Sequence, residues 1–391
     1  MSNCTEVDFS KTKNILSVKI RIIPTQEQEV YLRKACGTAR FVYNTALNIT
    51  EDIYTKTGKH ISWQDISTEY LTPLKQQEEF RWLNDVCSQI PQGALRDLDN
   101  AYKRFYRGLS SKPKYKSKKN SKMSFHIREN GFKLHKNHIK ISKLKDDIAL
   151  SGNTRGIEKY TGKYINPRIS YDGKFWYVSV GILIRRVENN SGGIVGIDLG
   201  IKELAYCSNG VVFHNINKTK RVKHIENRLK RLKRRVSKKY EMNKQGNKYV
   251  KTSNIAKLEK TIALTERRLA NIRNTYIHEC TSKIVKTKPS MIVLEDLQVS
   301  KMLKNRHLAD SIRKQCFYKF RQYITYKAYF NCIRVVIADK HYKSTQTCSC
   351  CGNVQKMRLF DRVFKCNKCH NSLDRDYNSS KNLEKLGVSM C

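Results

Sequence analysis

Residues 194–210, IVGIDLGIKELAYCSNG, carry an aspartate inside an apolar run. Four apolar or small residues lead directly into Asp198, and apolar residues resume at Leu204 and Ala205. The run predicts a buried strand, in which a charge without a partner is costly. Asp198 therefore needs a partner or a ligand, and the rest of the sequence has to supply it.

The charge balance of the chain indicates a polyanionic partner. The 391 residues include 77 Lys and Arg against 34 Asp and Glu, a formal net charge of +43. Basic side chains release condensed counterions when they neutralise phosphates, which favours nucleic acid. An anionic membrane surface is a weaker alternative, because there is no run of about 18 apolar residues. The first fourteen residues have no apolar signal-peptide core, so we expect an intracellular protein with no membrane partner, cytoplasmic or nucleoid-associated if the host is bacterial.

The first half of the chain predicts helices inserted into a sheet. ILSVKIRII at 15–23 alternates as a half-buried strand, and Pro24-Thr25 predicts the start of a helix. Helical patterns continue to about residue 107, after which strand patterns return at 131–186. Within them, Asp172-Gly173 predicts a hairpin turn.

The second half predicts a long helical hairpin and several basic surfaces. Residues 219–239 hold eleven Lys and Arg and one acid, and pair with a second helical pattern at about 253–286. A further helix is predicted at about 307–330.

The segment at 108–124 is basic. It could be a solvated linker, but we favour a strand or loop that contacts phosphates. Its lysines are Lys112, Lys114, Lys116, Lys118, Lys119 and Lys122.

Five of the thirteen cysteines cluster in one short segment and predict a metal site. CSCCG and CNKC give Cys348-x-x-Cys351 and Cys366-x-x-Cys369, the spacing of two knuckles that hold one zinc through four thiolates. Four cysteines leave no open coordination position, so the zinc would be structural. The alternative is a set of free cysteines without metal. Cys350 could replace a ligand, but does not make the two-residue gap.

Acidic residues at three further places supply partners for Asp198. Glu295 ends the apolar run Met291–Leu294, and Asp374 and Asp376 precede the last predicted helix. Three carboxylates that converge on one edge of a sheet repel one another unless cations neutralise them. Two Mg²⁺ held by such a group activate water and stabilise the leaving oxygen in phosphodiester cleavage.

Each acid also has an alternative interpretation. Asp296 could be the ligand in place of Glu295, and either Asp374 or Asp376 could be a helix N-cap while the other is the ligand. GIDLG also resembles the first phosphate loop of actin-like and Hsp70-like ATPases, but no second Gly-rich phosphate loop follows. Taken alone, each motif is weak.

The order of the motifs resembles the TnpB family, the RNA-guided nucleases carried by insertion-sequence transposons and related to type V CRISPR effectors and Fanzor proteins. The resemblance covers nearly the whole chain after the first thirteen residues. It rests on KIRIIPTQEQEVYLRKACGTARFVYNTALN, ALRDLDNAYKRFYRG, KPKYKSKKNSKMSFHI, GIDLGIKELA, IVLEDLQ, STQTCSCCG and DRDYNSSKNL. Ser379-Ser380 stands where Ala-Ala is commoner in the family.

The resemblance implies an α/β protein with β-barrel and helical parts. The nuclease core would be a split RNase H-like (RuvC) fold with an inserted zinc ribbon, preceded by a wedge β-barrel that a helical recognition domain interrupts. The implied domains are a wedge-like β domain at 1–24 and 125–192, a helical domain at 25–124, a RuvC-like domain at 193–343 and 374–391 with a helical hairpin at 217–286, and a zinc ribbon at 344–373.

The resemblance also implies an activity. Asp198, Glu295 and Asp376 would be the catalytic Mg²⁺ ligands, with Asp376 chosen over Asp374 because the family's ligand precedes the x-Asn-small-small turn. The partners would be a guide RNA from the transposon end and double-stranded target DNA, with transposon maintenance as the biological role. The alternative is a non-catalytic or strand-transferring transposase, or an accessory DNA-binding protein, in DNA transposition and recombination.

Overall fold

The computed structural model describes residues 4–6, 14–118, 121–152, 164–186, 192–358 and 361–390. The chain divides into two compact units. Unit one is Ile15–Ile184, and unit two combines the described parts of 1–14 with those of 185–391. None of the described helices is long and apolar enough to span a membrane.

The secondary structure is numbered in chain order. The strands are β1 (Cys4–Glu6), β2 (Ile15–Ile23), β3 (Ser124–His126), β4 (Phe132–Leu134), β5 (His138–Ile141), β6 (Ile148–Leu150), β7 (Ile165–Tyr171), β8 (Trp176–Leu183), β9 (Gly192–Leu199), β10 (Ala205–Cys207), β11 (Val212–Phe213), β12 (Lys244–Gln245), β13 (Lys248–Tyr249), β14 (Pro289–Glu295), β15 (Arg334–Ala338), β16 (Val363–Lys365) and β17 (Ser372–Asp374). The α-helices are α1 (Gln26–Thr57), α2 (Trp63–Asp65), α3 (Thr72–Leu74), α4 (Gln89–Tyr106), α5 (Lys220–Met242), α6 (Ser253–Lys286), α7 (Val299–Met302), α8 (Ala309–Gln315), α9 (Phe317–Phe330) and α10 (Arg375–Val388).

Unit one contains a seven-stranded antiparallel sheet in the order β3-β7-β8-β2-β6-β5-β4. The predicted strand at 15–23 is confirmed as β2, which pairs with β8 along nearly its whole length. The predicted hairpin is confirmed, since Gly173 at φ +93° lies between β7 and β8. The described strands have no pairing between the two ends of the sheet, β3 and β4.

The helices of unit one lie between β2 and β3 along the chain, as the predicted insertion requires. A capping box begins α1: the Thr25 hydroxyl accepts from the Gln28 amide, and the Gln28 side chain accepts from the Thr25 amide. Gly58, at φ +67°, ends the helix in the left-handed conformation. The buried side chains of α1 and α4 join the sheet in one hydrophobic core.

Unit two is built on a six-stranded mixed sheet in the order β1-β15-β14-β9-β10-β11. The central strands β15, β14 and β9 are parallel, and β1, β10 and β11 are antiparallel to their neighbours. One expectation is corrected: Cys4–Glu6 pairs with β15 of this sheet, although residues 1–24 were expected in the β domain. An edge strand with unpaired amides is stabilised by such an added strand.

Helices cover both faces of the mixed sheet. Alternate residues of β9, β14 and β15 enter a core with α6 and α9 on one face, and the other alternate residues pack with Leu383 and Leu386 of α10. The approach of α10 is very close at Gly196, where an added Cβ would lie 2.1 Å from the Ser380 carbonyl oxygen. Only glycine therefore fits at this position of β9.

The predicted helical hairpin is confirmed as α5 and α6, each capped by a threonine side chain, Thr219 and Thr252. The helix expected at about 307–330 is two helices, α8 and α9. Cys316 separates them because its φ of +54° is left-handed and cannot continue an α-helix.

Candidate functional site

Asp198 and Glu295 end neighbouring parallel strands and point to the same face of the sheet. The register pairs Leu294 with Ile197, so Glu295 and Asp198 follow one step further along β14 and β9. Gly196 faces α10, and Asp198, two residues later, faces the same way. The sequence of each strand thus carries its carboxylate to the edge of the sheet beneath α10.

The start of α10 brings the third carboxylate to this edge. Asp374 is the N-cap, because its Oδ1 accepts hydrogen bonds from the amides of Asp376 (2.9 Å) and Tyr377 (3.2 Å). Asp376 is 7% exposed and lies close enough to Asp198 to affect its ionisation. Asp374 therefore caps the helix, and Asp376 lies near Asp198; the choice of Asp376 as the metal ligand stays a prediction.

The pKa values of Asp198 and Glu295 are both raised. Burial raises the pKa of Asp198 well above its usual value, and the charges of Glu295 and Asp376 raise it further. Burial also raises the pKa of Glu295, although a hydrogen bond with the Asp198 carboxyl opposes that shift. Such a cluster favours either a shared proton or a bound cation.

Two arginines that sequence reasoning missed flank Asp376. Arg375 directs Nε and Nη2 at Asp376 Oδ1, at 3.2 and 3.1 Å, and Arg362 Nη1 lies 4.0 Å from Oδ2. Arg375 could have been suspected from its place between two acids. Arg362 could not have been suspected, because it is distant from Asp376 in the sequence. The Arg375 amide donates to the Arg362 carbonyl at 2.8 Å, and this backbone bond brings Arg362 close to Asp376.

The neighbours that complete the acidic edge are Ser379 and Tyr206. The Ser379 hydroxyl is buried, has no hydrogen-bond partner among the described residues, and approaches Asp198 without meeting hydrogen-bond geometry. Burial raises the pKa of Tyr206, and the carboxylates of Asp374 and Asp376 raise it further. An orphaned buried hydroxyl beside three carboxylates fits a site that accepts an additional polar ligand.

The donor set of this edge is oxygen alone, which suits Mg²⁺. The carboxylates are nevertheless less tightly gathered than the cysteines. Across the described ranges, the four cysteine sulfurs form the one group of three or more metal-ligating side chains whose ligand atoms all lie within 4.8 Å. One of these carboxylates, Asp376, is already paired with the Arg375 guanidinium at 3.1 Å.

Cys348, Cys351, Cys366 and Cys369 come together as their spacing predicts. The Sγ–Sγ distances are 3.6 Å for Cys348–Cys369 and 3.5 Å for Cys351–Cys366. Four sulfurs about 2.3 Å from a tetrahedral zinc would lie about 3.8 Å apart, so the group fits zinc closely. Cys350 is exposed and lies outside the cluster.

The two cysteine knuckles have the same backbone fold. The Cys348 amide donates to the Asn353 carbonyl and the Gly352 amide to the Cys348 carbonyl; the Cys366 and His370 amides repeat both bonds with Asn371 and Cys366. Gly352 and His370 are both left-handed, at φ +74° and +56°. Amides also donate to the Cys366 sulfur, and that of Cys369 lowers the pKa of Cys366 to about 6, which favours a thiolate.

Basic side chains occupy two different environments. Ten of the eleven on α5 are exposed: Lys220, Arg221, Lys223, Arg228, Lys230, Arg231, Lys233, Arg234, Arg235 and Lys238. The segment at 108–124 is instead anchored to α1, with Lys112 paired to Glu51 at 2.9 Å and the Lys116 ammonium 3.4 Å from the Tyr43 ring centre. Lys114, Lys118 and Lys122 remain exposed, and Lys119 lies outside the described residues.

Three family models match the chain. A model described as "Probable transposase" matches residues 180–306, "Cas12f1-like, TNB domain" matches 317–383, and "Helix-turn-helix domain" matches 14–59. The last range folds here as β2 followed by a single helix of 32 residues. The second range includes the whole cysteine cluster and Asp376.

Two relatives span nearly the whole chain, and a third matches about a third of it. A "Putative RNA-guided DNA endonuclease InsQ" of Escherichia coli K12 is 29% identical over 96% of this chain and 93% of its own. A "Putative RNA-guided DNA endonuclease" of Streptomyces pristinaespiralis is 28% identical over 95% and 89%. The "TnpB-like protein L79" of Acanthamoeba polyphaga mimivirus is 28% identical over 34% of this chain and 26% of its own.

A solved structure shares the fold. The cryo-EM structure of a Cas12f1–sgRNA–target DNA complex matches 91% of this chain and 83% of its own protein chain, with a TM-score of 0.54 and 17% identity. At that identity the likeness concerns the fold alone. These matches make the chain similar to proteins named as RNA-guided DNA endonucleases over nearly its whole length, and to a TnpB-like protein over 34% of it.

Proposed function

We propose that this chain is an RNA-guided, Mg²⁺-dependent DNA endonuclease of a transposable element. The observation that carries the proposal is the convergence of Asp198, Glu295 and Asp376 at one edge of the mixed sheet. The proposal that RNA guides the cleavage rests on the names of the relatives from Escherichia coli and Streptomyces. The net charge of +43 supports a function on RNA and DNA together.

Asp198, Glu295 and Asp376 would hold two Mg²⁺. Bound there, the ions would supply an activated water and stabilise the leaving oxygen of the cleaved phosphodiester. The oxygen-only donor set supports this assignment, as does the raised pKa of Asp198, to which burial contributes most and the charges of Glu295 and Asp376 contribute further. Arg375 would hold the Asp376 carboxylate in position before metal binds, through its two hydrogen bonds to Oδ1.

The remaining parts of the chain have supporting roles in this proposal. The mixed sheet with α10 would be the split RNase H-like core, and one structural zinc on the four cysteines would fix the segment between β15 and α10. The four domains at 1–24 with 125–192, 25–124, 193–343 with 374–391, and 344–373 stay a prediction, apart from the strand Cys4–Glu6. The exposed cations of α5 would bind phosphates of the guide RNA or the target DNA.

The test begins with the protein co-expressed with its flanking genomic DNA. We expect a single RNA to co-purify, with a variable end that matches sequence beside the element. The complex should cleave a plasmid that carries the matching sequence in Mg²⁺ and not in EDTA, and Asp198→Ala should retain the RNA and lose cleavage. Strand-transfer products would instead support the transposase alternative, which the family description "Probable transposase" names. DNA binding without either reaction would support the accessory protein.

A further inference from the structure

Tyr206 lies directly across the strand ladder from Asp198. In the antiparallel pair β9–β10, the register places the Tyr206 Cα opposite that of Asp198. The neighbours of Tyr206, Ala205 and Cys207, are buried in the core on the α6 and α9 side of the sheet. Because side chains alternate along a strand, Tyr206 projects from the opposite face, where the three carboxylates lie.

Tyr206 continues a row that crosses four strands beneath α10. Ala338 on β15 pairs with Glu295 on β14, Glu295 is in register with Asp198 on β9, and Asp198 pairs with Tyr206 on β10. The row thus runs from an apolar residue through two acids to a phenol. A tyrosine side chain is longer than that of aspartate, so its hydroxyl stands further from the sheet than the Asp198 carboxyl.

The hydroxyl of Tyr206 has no hydrogen bond to any residue in the described part of the chain, although the side chain is only partly exposed. The charged groups near it are Asp374, Asp376, Glu203 and Arg362. Arg362 and Arg375 already approach Asp376. The phenol is therefore a neutral, unengaged donor beside a cluster of acids, where an incoming phosphate otherwise meets mainly negative charge.

We propose that Tyr206 positions the DNA strand at the acidic edge by donating its hydroxyl to a phosphate oxygen. This inference rests on the proposed function, because it names the group that the same site would bind. A phenol, protonated at neutral pH, donates strongly to an anionic oxygen and adds no charge that would compete with a metal. The contact orders the strand beside Asp198 without taking part in bond breaking.

The test compares Tyr206→Phe, which removes only the hydroxyl, with Tyr249→Phe as a matched control. Tyr249 is on the hairpin strand β13, where its hydroxyl contacts Glu241. The purified protein with its bound RNA is titrated with a fluorescent single-stranded DNA that is not complementary to that RNA, in Ca²⁺. Intact DNA is verified on a gel, so that binding is read without cleavage.

We expect Tyr206→Phe to raise the Kd about tenfold, as the loss of a hydrogen bond to a charged group does, with an unchanged unfolding midpoint. The Kd of Tyr249→Phe should equal that of the unaltered protein. In Mg²⁺, the same change should raise KM with little effect on kcat. An unchanged Kd in Tyr206→Phe would overturn the inference, as would an equal rise in both variants. If no DNA is cleaved in Mg²⁺, the proposed function fails, while the Ca²⁺ titration still decides the role of Tyr206.

Discussion

Asp374 and Asp376 lie two residues apart at the start of α10, and Asp374 holds the amide of Asp376 in place while Asp376 faces Asp198. Asp374 Oδ1 accepts from that amide at 2.9 Å. The cap therefore sets the direction of the neighbouring carboxylate. Two acids that look alike in the sequence thus have separate tasks in the fold, and substitutions should separate them.

Asp376→Asn should abolish Mg²⁺-dependent cleavage without lowering stability. The substitution removes the negative charge of a proposed metal ligand and keeps the shape of the side chain. Asp374→Ala should instead lower stability by about 1 kcal/mol, the usual cost of losing an N-cap. Measured at a temperature where it is folded, Asp374→Ala should keep a substantial fraction of the activity. Full cleavage by Asp376→Asn would remove this residue from the site.

Glu295 and its neighbour Asp296 offer a second matched pair. Asp296 instead pairs with Arg321 at 2.9 Å. Glu295→Gln should reduce cleavage by at least about a hundredfold, since a metal ligand is lost, whereas Asp296→Asn should stay within a few-fold of the unaltered protein. The measurement is the single-turnover cleavage rate in Mg²⁺. The reverse ranking would make Asp296 the ligand.

The raised pKa of Asp198 predicts a pH-dependent effect on stability in the metal-free protein. A buried acid whose folded pKa exceeds its unfolded pKa leaves the native state with more bound protons, so stability falls as pH rises between the two values. Asp198→Asn removes that penalty. In EDTA, its unfolding midpoint should exceed that of the unaltered protein at pH 8, and the difference should shrink towards zero near pH 4. An equal difference at both pH values would contradict the raised pKa. Mg²⁺ should stabilise the unaltered protein more than the variant.

Zinc content should depend on the four clustered cysteines and not on Cys350. Cys366→Ser removes the sulfur that receives two amide hydrogen bonds, and zinc measured by mass spectrometry should fall from about one per chain to near zero. The control Cys350→Ser should retain the metal, because Cys350 is exposed and outside the cluster. Loss of zinc in the control alone would reassign the ligand set.

The packing of α10 on β9 predicts that position 196 of β9 requires glycine. Gly196→Ala would drive a methyl group against the Ser380 carbonyl oxygen and the Glu384 amide, 2.1 and 2.5 Å away. We expect a loss of about 1–3 kcal/mol in unfolding free energy, with cleavage impaired because Asp376 moves with the helix. Gly193→Ala, on the same strand with nothing within 4 Å of the added carbon, should be neutral within about 0.5 kcal/mol. Comparable stability for both would refute the close approach.

Local patterns predicted much of the fold. The alternation at 15–23, the Asp172-Gly173 turn and the two long helices at α5 and α6 depend on neighbouring residues, and all are confirmed. The break at Cys316 was missed because no glycine or proline marks it, and the left-handed residue is a cysteine. The pairing of Cys4–Glu6 with β15 was missed because its partner lies more than three hundred residues away.

The candidate site also has features that neighbouring residues predict and features that depend on distant parts of the chain. Spacing alone predicted the cysteine group, since each knuckle is local. The acids could be named from their strand-end positions, but the separate tasks of Asp374 and Asp376 needed the cap geometry. Arg362 and Tyr206 join the site only through strand register and backbone bonds between distant segments, which no local pattern encodes.

If the bound RNA directs Mg²⁺-dependent cleavage by the acidic edge, a change in that RNA must change which DNA is cleaved. The most direct measurement replaces the variable end of that RNA with an unrelated sequence and scores two plasmids, one matching the old sequence and one the new. We expect cleavage to move to the new plasmid, to require Mg²⁺ and to be absent in Asp198→Ala. Cleavage that stays with the old plasmid, or that persists in Asp198→Ala, would contradict it.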